Sequence, residues 1–198
     1  MQPFLYMVRH GQTDVNARDG LQGHLDVPLN DKGRAHAAAL ARHFSLKQLA
    51  AIWASPLQRA RNTAAAIAAP HGLPVQIDRD LIELDYGDID GMTMEEAART
   101  SNFGERDKDR MAYRPPNGET YPEVLTRLSR FFARKLGEPA LIVAHQGIMR
   151  MACAHFGLMP AGDAAMKNFG HQSIITFCRD INNKVNGHIE ELSENETV

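Results

Sequence analysis

Phe4-Leu5-Tyr6-Met7-Val8-Arg9-His10-Gly11 decides the fold class. A short apolar run rich in strand formers stops abruptly at Arg-His-Gly, which reads as a buried strand emptying into a polar loop. Ala140-Leu141-Ile142-Val143-Ala144 repeats the pattern, bounded by Pro139 and His145. Further strands are expected at Leu49–Ala54, Val75–Ile77 and Ile174–Phe177, with Val185–Glu190 as an edge. Helical patterns fall between them. Asn30 or Asp31 caps a helix to about Phe44, with Ala35, Ala38, Ala39 and Phe44 on or near one face. Ser55-Pro56 reads as a cap followed by proline at the first helical position, opening a helix over Leu57–Ala69 that Pro70 and Gly72 stop. Thr93 and Glu96 have capping-box spacing. Thr120 and Glu123 open a helix to about Leu136, and another runs from about Gly147 to Phe156.

Strands alternating with helices, the strands apolar enough to be covered on both faces, specify an α/β protein. The expected architecture is a three-layer α/β/α sandwich with a mostly parallel central sheet. No internal repeat or low-complexity linker divides residues 1–198, so one domain is expected. Residues 100–118 are polar, end in Pro115-Pro116-Asn117-Gly118, and form a candidate lid flanked by Gly104 and Gly118. Residues 192–198 read as a frayed tail.

Composition narrows the function classes. The chain has 198 residues, 43% of them hydrophobic, and 22 Lys+Arg against 24 Asp+Glu give a net charge of −2. That balance excludes a bulk field for nucleic acid or an anionic membrane, and the hydrophobicity excludes a disordered chain. Met1-Gln2-Pro3-Phe4 lacks a basic flank, and no apolar run approaches the ~20 residues needed to span a bilayer. Cys153 and Cys178 are far apart and read as reduced thiols packed as small hydrophobes, so a cytoplasmic location is expected. Metal binding by His24, His36, His43, His155, His171 or His188 has little support, since no HxH or HExxH spacing occurs.

Chemistry gathers at the strand ends. His10 and His145 each lie just past the carboxyl end of an apolar strand, where open α/β sheets bind their ligands. If those strands are neighbours, the two imidazoles face each other. Arg9 precedes His10, and Arg59 follows the strand ending at Ala54. Most helical arginines belong to a solvated face, as Arg61 is expected to; but two guanidiniums and two imidazoles around one crevice suit a compact dianion, because the planar fork of arginine matches phosphate oxygens. Helix starts near Ser55 and Gly147 are expected to add amide donors.

The segment Leu5–Asn16 resembles the signature of the histidine phosphatase superfamily, which includes the cofactor-dependent phosphoglycerate mutases. The resemblance continues through Gly23-His24-Leu25-Asp26-Val27-Pro28-Leu29 and Gly33, Ser55-Pro56-Leu57-Gln58-Arg59-Ala60, Leu81-Ile82-Glu83, Gly87, Gly91 and Val143-Ala144-His145-Gln146-Gly147. These blocks stand in family order. The resemblance implies a phosphoglycerate mutase-like fold with His10 as nucleophile. It further implies Arg9, Arg59 and His145 on the phosphoryl oxygens, Asn16 in contact with that group, and Glu83 as proton donor and then base. Gln22, Gly23 and Gln146 join the implied substrate- and phosphate-binding set, and no cofactor or metal is implied.

Physical reasons stand beside each role. A histidine nucleophile needs its other N–H accepted, and the main chain near Gly11 is the expected partner. Phosphoryl transfer is mainly positioning and charge stabilisation, which arginines supply without Mg²⁺. An alkoxide leaves poorly unless a carboxylic acid protonates it, and burial suits a carboxyl to that task. Asp85, in the acidic run Glu83, Asp85, Asp88 and Asp90, competes with Glu83 for this role.

Two departures from the family pattern stand out. His145-Gln146-Gly147 stands where many members have His-Gly-Gly, and His145-Gln146-Gly147-Ile148-Met149-Arg150, like Asn117-Gly118-Glu119-Thr120-Tyr121, instead resembles the fructose-2,6-bisphosphatase branch and also broad bacterial sugar-phosphate phosphatases. Asp90-Gly91 replaces a common Glu-Gly. The interval from Gly91 to Thr120 is short beside the arginine-bearing insertion of the mutases, which favours hydrolysis over phosphoglycerate mutase-type transfer. Arg106 and Arg110 either reach over the pocket to a second acidic group or belong to a charged surface. A catalytically silent binding protein on the same fold is the further alternative, against which the set Arg9, His10, Arg59, Glu83 and His145 is complete. The expected partner is a small phosphorylated metabolite, neither nucleic acid nor membrane. Candidates are phosphorylated sugars or glycolytic acids, the nucleoside-loop phosphate of cobalamin assembly, and phosphorylated amino acids. Homodimerisation by sheet edges is common in the family and is left open by this sequence.

Overall fold

The computed structural model describes residues 2–135 and 139–192. Its strands and helices alternate: β1 (Gln2–Arg9), α1 (Asp14–Ala17), α2 (Asp31–Phe44), β2 (Ala51–Ala54), α3 (Gln58–Ala68), β3 (Val75–Ile77), α4 (Met94–Thr100), α5 (Tyr121–Lys135), β4 (Ala140–Ala144), α6 (Gln146–His155), α7 (Ala161–Met166), β5 (Ser173–Arg179) and β6 (Val185–Glu191). The six strands form one sheet in the order β3-β2-β4-β1-β5-β6. The β3-β2-β4-β1 part is parallel, and β5 and β6 add an antiparallel edge.

Strand alternation builds two cores. Tyr6 and Val8 of β1, Ile52 and Ala54 of β2, and Leu141 and Val143 of β4 face Leu40 and Phe44 of α2 and Ala60, Ala64 and Ile67 of α3. Their neighbours Leu5, Met7, Trp53 and Ile142 face the opposite way, against Val124, Leu128 and Phe131 of α5 and Ile148, Met149 and Ala152 of α6. Helices therefore cover both faces, as the apolar runs require. A third, small cluster of Leu21, Ile89, Ala97 and Phe103 lies under the segment that carries α4. No helix of the described residues is long and apolar enough to cross a membrane.

Several sequence expectations need correction. α3 starts at Gln58 with Leu57 in the cap position, so Ser55 and Pro56 precede the helix. Asp26 supplies the missing cap: its Oδ1 accepts the Gln58 amide at 2.7 Å. The buried stripe of α2 is Gly33, Ala37, Leu40 and Phe44, a 3.6-residue repeat, whereas Ala38 is exposed. Leu192 is not part of a frayed tail; its side chain is buried and its amide donates to the Gln172 carbonyl. The expected helix end at Leu136 and the rest of the tail, residues 193–198, lie outside the described residues. Gly118 is no free hinge, since a Cβ there would stand 2.5 Å from the Asp85 carbonyl oxygen.

The loop after β1 is pressed onto the start of α2. A Cβ on Gly33 would meet the Gln12 carbonyl oxygen at 2.0 Å, and one on Gly11 would meet the Gly33 carbonyl oxygen at 2.2 Å. Main chain meets main chain here, so neither side can yield by a rotamer change. Gly33→Ala is expected to destabilise the protein by about 1–3 kcal/mol, read as a lower urea midpoint; an unchanged midpoint would show that the loop yields freely.

Candidate active site

The site is assembled where the parallel strands end. Arg9 pairs with Ala144 in the β1–β4 register, and the ladder runs one residue further, with the His10 amide donating to the Ala144 carbonyl at 3.0 Å. His10 and His145 thus lie side by side, ring centroids 5.0 Å apart. Both are buried.

Two contacts fix the tautomer of His10. Nδ1 stands 2.7 Å from the Gly11 carbonyl oxygen, which can only accept. Nε2 is approached at 3.2 Å by Nε of Arg59, which can only donate. The proton therefore sits on Nδ1 and the lone pair on Nε2. Burial, then the neighbouring His145, Arg59 and Arg9, holds His10 well below the ordinary histidine value, so the ring is neutral. Thr63, one turn beyond Arg59 on α3, locks the turn by accepting the Gly11 amide and donating to the Arg59 carbonyl.

Arg59 is fully buried, with Nη1 on the Leu25 carbonyl and Nη2 on the Gly23 carbonyl. Arg9 donates from Nη1 to the Phe169 carbonyl at 2.8 Å. Among the described residues neither guanidinium has a carboxylate partner, and burial lowers both to about 10. His145 Nε2 lies 2.7 Å from Ser55 Oγ. Ser55 Oγ also accepts the Leu57 amide, and when it donates its own proton to Nε2 the His145 proton stands on Nδ1. His145 Nδ1, Arg9 Nε and Gln22 Nε2 are buried without partners. Arg9 Nε and Gln22 Nε2 can only donate, and with His145 Nδ1 beside the His10 ring they are groups that an oxyanion would satisfy.

Glu83 closes the other side. Its Oε1 accepts the Leu84 amide at 2.8 Å and its Oε2 the Gly147 amide at 3.0 Å. The helix start at Gly147 therefore gives that amide to Glu83, not to an open anion site as expected from sequence, and the start of α3 gives its amide to Asp26. A Cβ on Gly147 would stand 2.4 Å from Glu83 Oε1, so a side chain there would displace the carboxylate from this position. Asp85 turns away, accepting the Gly87 amide and facing His24 at 3.5 Å.

These groups border a cavity of about 540 Å³, large enough for a small metabolite. Arg9, His10, Asn16, Gln22, Glu83 and Gln146 line it, whereas Arg59 and His145 are fully buried behind its wall. Asn16 uses Oδ1 to cap α1, accepting the Thr13 amide at 3.2 Å. Gln146 Oε1 accepts the Phe169 amide at 3.1 Å. Gly23 departs from expectation: it does not line the cavity, and its amide is committed to Asp90 Oδ1 as its carbonyl is to Arg59. Among the described residues, no group of three or more His, Cys, Asp or Glu is placed to hold a metal ion.

The far wall carries more charge. Arg106 and Arg110 line the cavity with side chains only 15% and 17% exposed, whereas Lys108 of the same run is 72% exposed. The run thus divides into a solvated lysine and two cavity-lining arginines that share Asp107 Oδ1 between them, Arg106 at 3.3 Å and Arg110 at 2.9 Å. Arg150 lines the wall too, held by the Lys167 carbonyl and the Tyr121 hydroxyl. Its spacing of four from Gln146 puts both on one face of α6, a signal available in the sequence. His171 had no such signal. It donates from Nδ1 to the His10 carbonyl at 2.7 Å and packs against the His10 ring and, on the other side, against His36.

Comparison with known proteins gives a consistent picture. A family model described as "Histidine phosphatase superfamily (branch 1)" matches residues 5–184. Phosphoglycerate mutase-like protein 4 of Arabidopsis thaliana is 37% identical over 155 residues, 74% of this chain and 67% of that protein. Glucosyl-3-phosphoglycerate phosphatase of Mycolicibacterium vanbaalenii is 36% identical over 159 residues, 73% of this chain and 70% of that protein. The crystal structure of the alpha-ribazole phosphatase from Shigella flexneri superposes with a TM-score of 0.82 at 27% identity, covering 95% of each chain.

The buried histidines make stability pH-dependent. His10 and His145 are held well below 6.5, and burial and Arg9 bring His171 down to about 3. Below about pH 6.5 the unfolded chain then binds more protons than the folded one, so stability falls as pH falls. For His171 the loss runs from 6.5 down to about 3. Urea midpoints are expected to drop steadily between about pH 7 and about pH 5, and less steeply in His171→Asn. A midpoint constant over that range would contradict the neutral burial of these rings.

Proposed function

The chain belongs to branch 1 of the histidine phosphatase superfamily, and on that premise we propose that it is a metal-independent phosphomonoesterase acting through a phosphohistidine on His10. The observation that carries the reading is the doubly specified tautomer of His10: the Gly11 carbonyl and the Arg59 Nε–H together leave a lone pair on Nε2. Nε2 attacks phosphorus as the bond to the ester oxygen breaks. That electron pair goes to the leaving oxygen, which takes a proton from the Glu83 carboxyl. Water then attacks phosphorus, its proton passes to Glu83, and the P–N pair returns to Nε2. Arg9 and Arg59 neutralise the phosphoryl charge, with His145, Asn16 and Gln22 as neutral hydrogen-bonding groups on its oxygens. The charge lies on arginines, so no metal is needed for this step.

Substrate size and charge follow from the rest of the cavity. Arg106, Arg110 and Arg150 at the far wall suit a small metabolite with a second anionic group, a carboxylate or another phosphate. Hydrolysis is favoured over mutase-type transfer because the segment between Gly91 and Thr120 is short and leaves the phosphohistidine open to water. Two free cysteines, Cys153 buried among hydrophobes, suit a reducing, cytoplasmic setting.

A panel of phosphomonoesters, run with 3-phosphoglycerate isomerisation alongside, tests the proposal. Phosphate release is expected, with isomerisation negligible. His10→Ala should reduce release to background, and acid-free quenching of Glu83→Gln during turnover of 2,4-dinitrophenyl phosphate, whose leaving group needs no proton, should trap an acid-labile phosphoenzyme that His10→Ala lacks. Retention of activity in His10→Ala would overturn the reading. Arg106→Glu combined with Arg110→Glu should raise KM ~10-fold or more for substrates bearing a second acid, while leaving aryl phosphates much less affected. An unchanged KM across the acidic substrates would remove the second-anion assignment.

A further inference from the structure

Glu83 sits in a stretch, residues 82–86, that belongs to no helix or strand. Its carboxyl is tied to amides, but the main chain that carries it needs its own anchor. Arg127 of α5 is placed there. It is buried, and its Nε and Nη2 reach Glu119 Oε1 and Oε2 at 2.8 and 2.9 Å, a two-point ion pair. Nη1 donates to the Asp80 carbonyl at 2.7 Å and Nη2 to the Glu83 carbonyl at 3.1 Å. Glu119 Oε2 receives the Asp85 amide at 3.4 Å. One ion pair thus grips the chain before, at and after Glu83. His24 adds a second contact to the Glu83 carbonyl at 3.0 Å.

A buried ion pair is weak as a stabiliser, since desolvation offsets its attraction, and its best-attested use is to fix one arrangement among several. Neither Arg127 nor Glu119 lines the cavity. We propose that the Arg127–Glu119 pair is a positioning device for the proton donor, holding the Glu83 main chain so that the carboxyl meets the departing ester oxygen. This rests on Glu83 being the acid. The step concerned is the first one: the P–O bond breaks, its electron pair stays on the ester oxygen, and the Glu83 proton neutralises it. A misplacement of about 1 Å at such a contact lowers the rate on the order of 10²-fold.

Leaving-group dependence reads this role. An alkyl phosphate needs the proton, whereas 2,4-dinitrophenyl phosphate expels a stable phenolate without it. kcat/KM reports phosphoryl transfer to His10 and is insensitive to the later attack of water. Glu83→Gln should lose ~10²–10⁴-fold in kcat/KM for the alkyl ester and far less for the dinitrophenyl ester. Glu119→Gln and Arg127→Lys should show the same selective loss, ~10–100-fold for the alkyl ester, with inhibition by inorganic phosphate unchanged. Equal losses on both esters, or none on either, would overturn the positioning role. If Arg127→Lys fails to fold, the isosteric Glu119→Gln carries the test. A selective loss in Glu83→Gln without one in Glu119→Gln refutes this inference alone; no selectivity in Glu83→Gln refutes the assignment of Glu83 and the inference with it.

Discussion

Everything at the site depends on the register in which β1 lies against β4. The two strands run parallel with Val8 opposite Val143 and Arg9 opposite Ala144, so both chains leave the sheet at one level and deliver His10 and His145 together. A slip of one residue would exchange the faces of every side chain on β1. Tyr6 and Val8 would then meet the α5–α6 layer, and Leu5 and Met7 the α2–α3 layer. His10 would turn with them. Because both faces are packed, the hydrophobic cores on either side of the sheet enforce the catalytic geometry at its edge.

The partners of Arg9, Arg59 and Arg150 follow a second constraint. Arg59 is held by two carbonyls, Arg9 by one, and Arg150 by a carbonyl and a phenol hydroxyl. Arginines farther from His10 instead pair with carboxylates, as Arg99 does with Glu95, Arg114 with Glu123, Arg106 and Arg110 with Asp107, and the buried Arg127 with Glu119. A carbonyl fixes a guanidinium without cancelling its charge, so the positive potential remains for an incoming dianion. The burden is visible in the lowering of Arg9 and Arg59 to about 10 by burial. Such a site trades stability for readiness to bind.

What the sequence revealed followed from local pattern. Phe4–Val8 and Ala140–Ala144 announced two buried strands, and the residues just past them could be placed at one sheet edge before any coordinate. Arg9, His10, Arg59, Glu83 and His145 do converge. His171 was hidden because it lies 161 residues from His10 and reaches it only through the antiparallel pairing of β5 with β1. Ser55 was misread for a related reason. Ser-Pro is a good local helix start, but the hydroxyl is engaged by His145, 90 residues away, and Asp26 caps the helix instead. Gly23 fell inside a segment that resembles the family, yet its glycine is required by a Cβ clearance of 2.6 Å to the Leu84 carbonyl oxygen, not by a ligand.

Loops that carry chemistry cannot borrow rigidity from a hydrogen-bond ladder, and here side chains substitute for it. Asp90 accepts the amides of Gly23 and Leu25, each at 2.8 Å, and the carbonyls of those same residues grip Arg59. A single carboxylate thus fixes the loop that fixes the cation beside His10. Asp90 is for this reason part of the support of the site. Arg127 and Glu119 do for the opposite wall what Asp90 does for this one. In both walls a charged side chain bonds to main chain, and main chain orients the reacting group. The arrangement keeps acids and bases of the support away from the phosphoryl position, where their own charge would compete with the reaction.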